Sequence, residues 1–372
     1  MDDAGPLMRI ERLLKDRGVG EFEAGGVFGR VIEPAQELPL ADPVAIYPAD
    51  LEFDRVYQAG PTFVFHLTDG YVDPPNGFAF TSERNFVRES AVVGKYSDRA
   101  AELYAKYDFD AAQSVRAGEV VVVSNQRSKN YCRWWLDTVS KIFLFEAYAP
   151  TRLQGRRLAT WLTPPMDTPF QAATLDLIGY PPGPSFPRYR LVRGDLLLSG
   201  GLTYSGGQNI SPLVRGFRDF VLNRAALPRQ RGPGRRLFIT RRETAMRRIV
   251  NEPELYAGLA ERGFEVLVLE QMALRDQVAA FAAAEVVVAP HGAGLTNIMF
   301  SPSSALLVEI FPDSGVHSSA FRRIASNLGI RYAMYAGEAS GAAIKNNLRN
   351  IDLTVEPQHL FGFIDEVMGV GP

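Results

Sequence analysis

Residues 286–310, VVVAPHGAGLTNIMFSPSSALLVEI, concentrate the side chains that could handle a phosphorylated ligand. The apolar run Val286-Val287-Val288-Ala289 stops at Pro290, and the small polar turn His291-Gly292-Ala293-Gly294 follows. Leu295-Thr296-Asn297 then opens a predicted helix, and a second apolar run, Ala305 to Ile310, carries Glu309 near its end. A glycine turn between strand and helix lets backbone approach phosphate oxygens, and the helix start offers free N–H groups. An acid at the end of the next strand can accept ribose hydroxyls. The usual dinucleotide fingerprint is absent, because G-x-G is followed by Leu295-Thr296-Asn297 and not by x-x-G. His291 heads the turn at a strand end, where it could bond phosphate or sugar; a turn cap bonded to backbone is its plainer role.

A second cluster begins where Leu237-Phe238-Ile239-Thr240 runs into Arg241-Arg242, with Arg247-Arg248 shortly after. Arginines at the C-terminal end of a parallel strand face the crevice in which such sheets bind ligands, and the guanidinium fork suits phosphate oxygens. Arg241 leads these candidates, ahead of Arg242, Arg247 and Arg248; a solvated basic helix start is the alternative. In the first half, Asn130, Arg133, Trp134 and Asp137 share one face at helical spacing. Amide, guanidinium, indole and carboxylate together suit a polar ligand such as a sugar. The plainer reading is a surface Arg133/Asp137 pair worth roughly 0.2–0.5 kcal/mol, with Trp134 and Trp135 structural.

Metal chemistry is poorly supported. The four histidines (His66, His291, His317, His359) are scattered, no H-E-x-x-H occurs, and Asp108-Phe109-Asp110 is an isolated D-x-D without a strand to position it. No phosphate-loop sequence is present.

The elements that must position these residues alternate. Strand-like pieces at 44–47, 62–66 and 77–81 punctuate a β-rich region over residues 19–95 that is dense in Gly, Pro and aromatics. Glu119 to Val123 is a predicted strand, Trp134 to Tyr148 a helix, 157–162 a strand, 169–177 a helix, 188–198 a strand and 212–222 a helix. Past the Pro/Gly/Arg-rich segment 227–234, the rhythm is strand 236–240, helix 252–262, strand 265–269, helix 274–283 and strand 285–289. This argues for a parallel sheet covered on both faces, hence an α/β fold. The expected domains are 1–228, which is α/β with the β-rich N-terminal region, and 229–356, which is Rossmann-like. Residues 357–372 form a last helix that could cross back onto the first domain.

At 372 residues and 46% hydrophobic, the chain can bury two sizeable cores. A net charge of -2 gives no sign of nucleic-acid binding, and the single Cys132 excludes an intrachain disulfide framework. No apolar run is long enough to span a bilayer, and the start lacks the pattern of a signal peptide. Leu7, Ile10, Leu13 and Leu14 predict a short amphipathic helix, read first as a packed element and second as a peripheral membrane contact. A cytoplasmic protein is expected, with the inner membrane face as a place of work.

Three motifs together resemble glycosyltransferase family 61, within the wider GT-B group. They are Pro290 to Asn297 with the following Val308-Glu309, then Phe238 to Arg242 followed by Arg247 to Glu252, and, more loosely, Asn130-Tyr131-Cys132-Arg133-Trp134 with Asp137. The resemblance covers roughly 120–355 and implies two Rossmann-like domains facing across a cleft. It also implies inverting transfer from a nucleotide-sugar donor, with UDP as the expected nucleotide, to a glycan, polysaccharide or lipid-linked saccharide. No permanent cofactor and no metal are implied. Arg241, with Arg242 and Arg248, and the turn His291-Gly292-Ala293-Gly294-Leu295-Thr296-Asn297 would hold the diphosphate. Gln277 and Glu309 would contact base or ribose. Asn130, Arg133 and Trp134 would line the acceptor side, with Asp137 the candidate base and His291 a second catalytic candidate. The family's histidine in the first motif is Arg133 here, and its Pro-Arg is Ser140-Lys141. Arginine cannot act as a base at neutral pH, so Arg133 is expected to read an anionic group. The alternative function is a non-catalytic sugar-nucleotide or glycan-binding protein that retains the fold.

Overall fold

The computed structural model describes residues 7–8, 19–24, 27–91, 105, 107, 109, 119–153, 160–183, 191–204, 209–227, 234–314, 318–341 and 350–369. The chain divides into two compact units, one of Met1–Leu38 with Gln58–Leu213 and one of Pro39–Tyr57 with Val214–Pro372.

The second unit is built on a sheet whose parallel strands run in the order Phe264–Leu267, Arg235–Ile239, Ala284–Pro290, Leu306–Pro312, Arg331–Ser340. Strand Ala45–Tyr47 extends it parallel to Arg331–Ser340, and Asp352–Thr354 pairs antiparallel with the far half of that strand. The Val/Leu/Ile-rich runs read as continuous apolar stretches because both faces are covered. Alternation sends Val286, Val288, Val308 and Ile310 into one core with Leu255, Leu259 and the helix Pro357–Met368. Val287, Ala289, Leu307 and Glu309 belong to the other face. There the segment Ala293–Phe300 packs with helices Val214–Arg224, Leu274–Ala282 and Ala320–Leu328.

The first unit holds a mixed nine-stranded sheet. Strand Glu119–Val122 is parallel to both Thr160–Leu162 and Val192–Ser199, but Val192–Ser199 runs antiparallel to the long strand Thr62–Asp73. Val27–Glu33 and Phe78–Phe80 also pair antiparallel with Thr62–Asp73, and Gly20–Ala24 pairs antiparallel with Val27–Glu33. The aromatic-rich N-terminal region thus supplies most of the sheet, with Phe22, Phe63 and Phe65 in its core.

Several expectations change. Residues 39–57 and 214–224 pack with the second unit rather than the first, since Ala45–Tyr47 continues the second sheet. Helix Pro357–Met368 buries its apolar face in the core of its own unit instead of crossing away. Leu7–Met8 is not helical but a strand beside Phe86–Val87. Ile10, Leu13, Leu14, Asp108, Asp110, His317 and residues 228–233 lie outside the described residues.

The predicted helix at 134–148 starts earlier and changes gauge. Asn130 caps it by accepting from the Arg133 amide at 3.1 Å, Trp134–Val139 is a π turn, and Ser140–Tyr148 is α-helical. The Leu136 carbonyl accepts the Leu202 amide at 2.8 Å and the Ser140 hydroxyl at 2.6 Å. Gly201 makes this approach possible: its φ is +86°, and a Cβ there would lie 2.9 Å from both Asp137 Cα and the Leu136 carbonyl oxygen. Backbone strain and steric clash would therefore act together in Gly201→Ala. A loss of roughly 2–4 kcal/mol is expected as a lowered denaturant midpoint; an unchanged midpoint would remove this glycine from the account of the π turn.

Candidate functional site

In the second sheet the chain moves from Arg235–Ile239 to one neighbour, Phe264–Leu267, and then crosses to the other side at Ala284–Pro290. The connections leaving these two strands diverge, which opens a crevice outside their carboxyl ends, the place where open α/β sheets bind ligands. Arg241 and Gly292 follow the two strands and meet there. A Cβ on Gly292 would lie 1.8 Å from Arg241 Nη1. The backbone of Gly292 is extended, at φ -179°, so glycine serves here for close approach and not for torsion. Arg241 Nε and Nη2 donate to the Met246 carbonyl at 3.3 and 3.1 Å, which pins one edge of the fork.

Arg247 stands beside Arg241. It is half-buried, its φ is +60°, and its Nε has no hydrogen-bond partner. Burial, reinforced by the charge of Arg247, pushes the Arg241 guanidinium down to about 10. Burial lowers Arg247 as well, against the attraction of Glu309. Two desolvated cations in one turn oppose each other, and a bound anion would relieve both costs.

The doublets divide unequally. Arg248 donates to Asp352 Oδ2 through Nε at 3.0 Å and Nη2 at 2.7 Å, so it anchors the loop to strand Asp352–Thr354. Arg242 is exposed and bonded to Tyr256, whose hydroxyl donates to Glu252 Oε1 at 2.8 Å. Arg247, ranked low from the sequence, is the arginine that joins Arg241. No signal in the doublet separates the pair: a left-handed backbone turns Arg247 inward, and the partner of Arg248 lies 104 residues away.

The turn itself is sorted by burial. His291 donates its amide to the Ile310 carbonyl at 2.8 Å, and its ring lies 5.3 Å from Phe311 and 5.2 Å from Phe321. Glu309, expected to reach a ribose, is fully buried. Its Oε1 is 2.5 Å from His291 Nδ1, and its Oε2 accepts the Tyr332 hydroxyl at 2.7 Å. Pairing with Ala289 and Met334 places it on the face covered by Ala293–Phe300, where both of its oxygens are taken by protein groups. Leu295, Thr296 and Asn297 are also buried, in the predicted helix, which is a 3-10 segment over Ala293–Phe300. Asn297 Nδ2 donates to Gln277 Oε1 at 3.2 Å, and Gln277 Nε2 donates to the carbonyls of Leu269 at 2.8 Å and Met272 at 3.2 Å. Gln277 and Asn297 therefore lock helix Leu274–Ala282 to the turn. His291, Ala293 and Gly294 stay accessible. A cavity of about 700 Å³ lined by Arg218, Ala284 and Ser301 opens at the amino-terminal ends of the strands, away from these groups.

In the first unit, Arg133 and Asp137 are paired as expected but not at the surface. Nη1 to Oδ2 is 3.5 Å, with side-chain exposures of 10% and 0%. The Thr203 hydroxyl donates to Asp137 Oδ1. Burial raises the Asp137 carboxyl above its ordinary value, and Arg133 opposes the shift. Trp134 is fully buried near Phe170 and so presents no sugar-binding face, whereas Asn130 is exposed and caps the helix through Oδ1. One turn further along the helix from Asp137, Lys141 is buried and donates to the Ser124 carbonyl at 2.9 Å.

Burial carries Lys141 from 10.5 down to about 8, with Asp137 opposing. Between these values the unfolded chain holds a proton that the folded chain has released, so stability rises with pH across the window and is lost as pH falls through about 8. The cost at neutral pH is on the order of 3 kcal/mol. Lys141→Met is expected to raise the melting temperature most at pH 7 and to lose that advantage near pH 10.5. An equal gain at both pH values would reject a buried ammonium.

Comparison with known proteins adds an independent line. Residues 43–308 match the family described as Glycosyltransferase 61. An EGF domain-specific O-linked N-acetylglucosamine transferase from Drosophila melanogaster is 30% identical over 131 residues, 34% of this chain and 25% of its own length. An alpha-1,3-arabinosyltransferase from Oryza sativa subsp. japonica is 33% identical over 126 residues, 32% of this chain and 21% of its own length. A beta-1,2-xylosyltransferase from the same plant is 37% identical over 120 residues, 30% and 20% of the respective chains. The chain thus spans a quarter or less of the length of these curated relatives. Among the described residues, no helix is long and apolar enough to cross a membrane. With the family match covering more than half of the sequence, the chain belongs to glycosyltransferase family 61.

Proposed function

We propose that this protein transfers a sugar, with inversion and without a bound metal, from a nucleotide-activated donor to a glycan, polysaccharide or lipid-linked acceptor. The GT-B architecture and cytoplasmic location implied by the sequence belong to this proposal, as does UDP as the nucleotide. The observation that carries it is the Arg241–Arg247 pair at the switch point. A departing diphosphate develops negative charge, and preorganised donors aimed at it stabilise the transition state. Two guanidiniums beside a glycine turn can do in place what a divalent cation does elsewhere. The amides of Ala293 and Gly294, first in their helical segment, would add donors. The named relatives transfer N-acetylglucosamine, arabinose or xylose, so family membership leaves the sugar open.

Asp137 is the candidate base. Its raised proton affinity suits abstraction from a hydroxyl. Its carboxylate lies beneath Arg133, so acceptor binding must displace that guanidinium. The same burial favours the second reading, a protein that binds sugar nucleotides without turning them over.

In a melting-temperature screen of nucleoside diphosphates, one nucleotide at a hundredfold excess over its Kd is expected to stabilise the protein by about 2.7 kcal/mol. Arg247→Ala should weaken that nucleotide ~10–100-fold, the worth of a charged hydrogen bond, while Arg248→Ala changes it little. If no nucleotide shifts the melting temperature, or if the two variants behave alike, the donor site is wrong. Donor consumption by the wild type that disappears in Asp137→Asn, with nucleotide stabilisation intact, would establish transfer over binding. No turnover by the wild type in the presence of acceptor glycans favours binding.

A further inference from the structure

The buried carboxylate of Glu309 touches two side chains that nothing in the donor site requires it to touch. One oxygen is 2.5 Å from His291 Nδ1 and the other accepts the Tyr332 hydroxyl at 2.7 Å. Glu309 has no exposed surface, and the His291 side chain retains 13%. Phe311 and Phe321 pack against the imidazole ring, and its amide is fixed to Ile310. A carboxylate can only accept from Nδ1, so the contact selects the tautomer with hydrogen on Nδ1. Nε2 is then the nitrogen left for the crevice, at the start of the turn whose next residue packs against Arg241. The carboxylate is held in turn by Tyr332, whose hydroxyl burial and Glu309 keep protonated well above its ordinary range.

We propose that Glu309 and Tyr332 are positioning residues that hold His291 with Nδ1–H directed inward and Nε2 directed at a phosphate oxygen of the donor. When the diphosphate is bound, a proton on Nε2 gives an imidazolium bonded to Glu309 on one side and to phosphate on the other. No proton passes from His291 to the sugar. The acceptor oxygen bonds C1 as the C1–O bond to the diphosphate breaks, and the electron pair leaves on a diphosphate already hydrogen-bonded to Nε2–H. The acceptor hydroxyl's proton goes to the base of the proposed transfer. This deepens the donor-site reading and rests on it for the identity of the ligand, whereas the tautomer is a property of the free protein.

Charge and positioning predict opposite results, which makes the inference testable. Removing a buried negative charge from an anion site should strengthen anion binding, in Glu309→Gln and Glu309→Leu alike. Positioning predicts a loss in Glu309→Leu alone, because a glutamine carbonyl can still accept from Nδ1. Nitrogen-15 correlation spectra of a protein with four histidines can be assigned through His291→Ala. We expect a pure Nδ1–H tautomer for His291 in the wild type and in Glu309→Gln, and a mixture in Glu309→Leu. UDP, as probe, should perturb Nε2 of the wild type and bind at least tenfold more weakly to Glu309→Leu, but no more weakly to Glu309→Gln. Tyr332→Phe, which preserves volume, should shift the tautomer balance partway and serves if Glu309→Leu does not fold. An Nε2–H tautomer in the free wild type, or UDP binding that is unchanged or tighter in folded Glu309→Leu, overturns the inference. A correct tautomer with no response to UDP instead leaves the positioning intact and removes the donor reading.

Discussion

The close approach of Arg241 to the backbone at Gly292 is the constraint on which the second unit is arranged. A guanidinium can lie against a turn only if the turn has no side chain, and only if two strands end side by side with their connections diverging. The sheet order supplies the second condition and one glycine the first. Desolvating that arginine is costly, and placing Arg247 beside it raises the cost further. Such a pair costs the folded chain stability that a bound anion would offset.

Around this pair, the polar residues of the turn separate into those that face the crevice and those that hold it. Glu309, Tyr332, Gln277 and Asn297 are turned inward, and each engages another element: a strand, a helix or the turn itself. Buried polar groups that satisfy one another fix geometry more sharply than apolar packing, because a displaced partner leaves a costly vacancy in its hydrogen-bonding. The accessible surface of the site is correspondingly small, consisting of one imidazole edge, two small residues and two arginines.

The first unit uses the same physics for a different purpose. Its helix widens into a π turn where Gly201 presses against Asp137, and the freed Leu136 carbonyl is taken by Leu202. Such turns recur at functional sites because they carry a side chain out of the ordinary helical phase. Here the displaced group is a carboxylate whose proton affinity is raised by burial and opposed by Arg133, the Thr203 hydrogen bond, Lys141 and Arg127.

Much was legible in the residues alone. The alternation of apolar runs and amphipathic stretches in 235–312 marked the four strands there but not Arg331–Ser340, and the glycine turn with Arg241 pointed to the end of the strands where a ligand is proposed. The first hundred residues were less legible, since antiparallel strands rich in aromatics and glycine have no pattern that reports their partners. Within the site, periodicity could name His291, Arg241 and Glu309 as neighbours of a crevice but not say which way each side chain points. That decision belonged to the tertiary structure. One register step in the sheet faces Glu309 toward Tyr332, a left-handed backbone at Arg247 sends it inward, and a distant Asp352 claims Arg248. Local sequence determines which elements form because periodicity and turn chemistry are local. Contacts between residues far apart in the chain determine which functional groups remain free, because a hydrogen bond made to the protein is one not offered to the ligand.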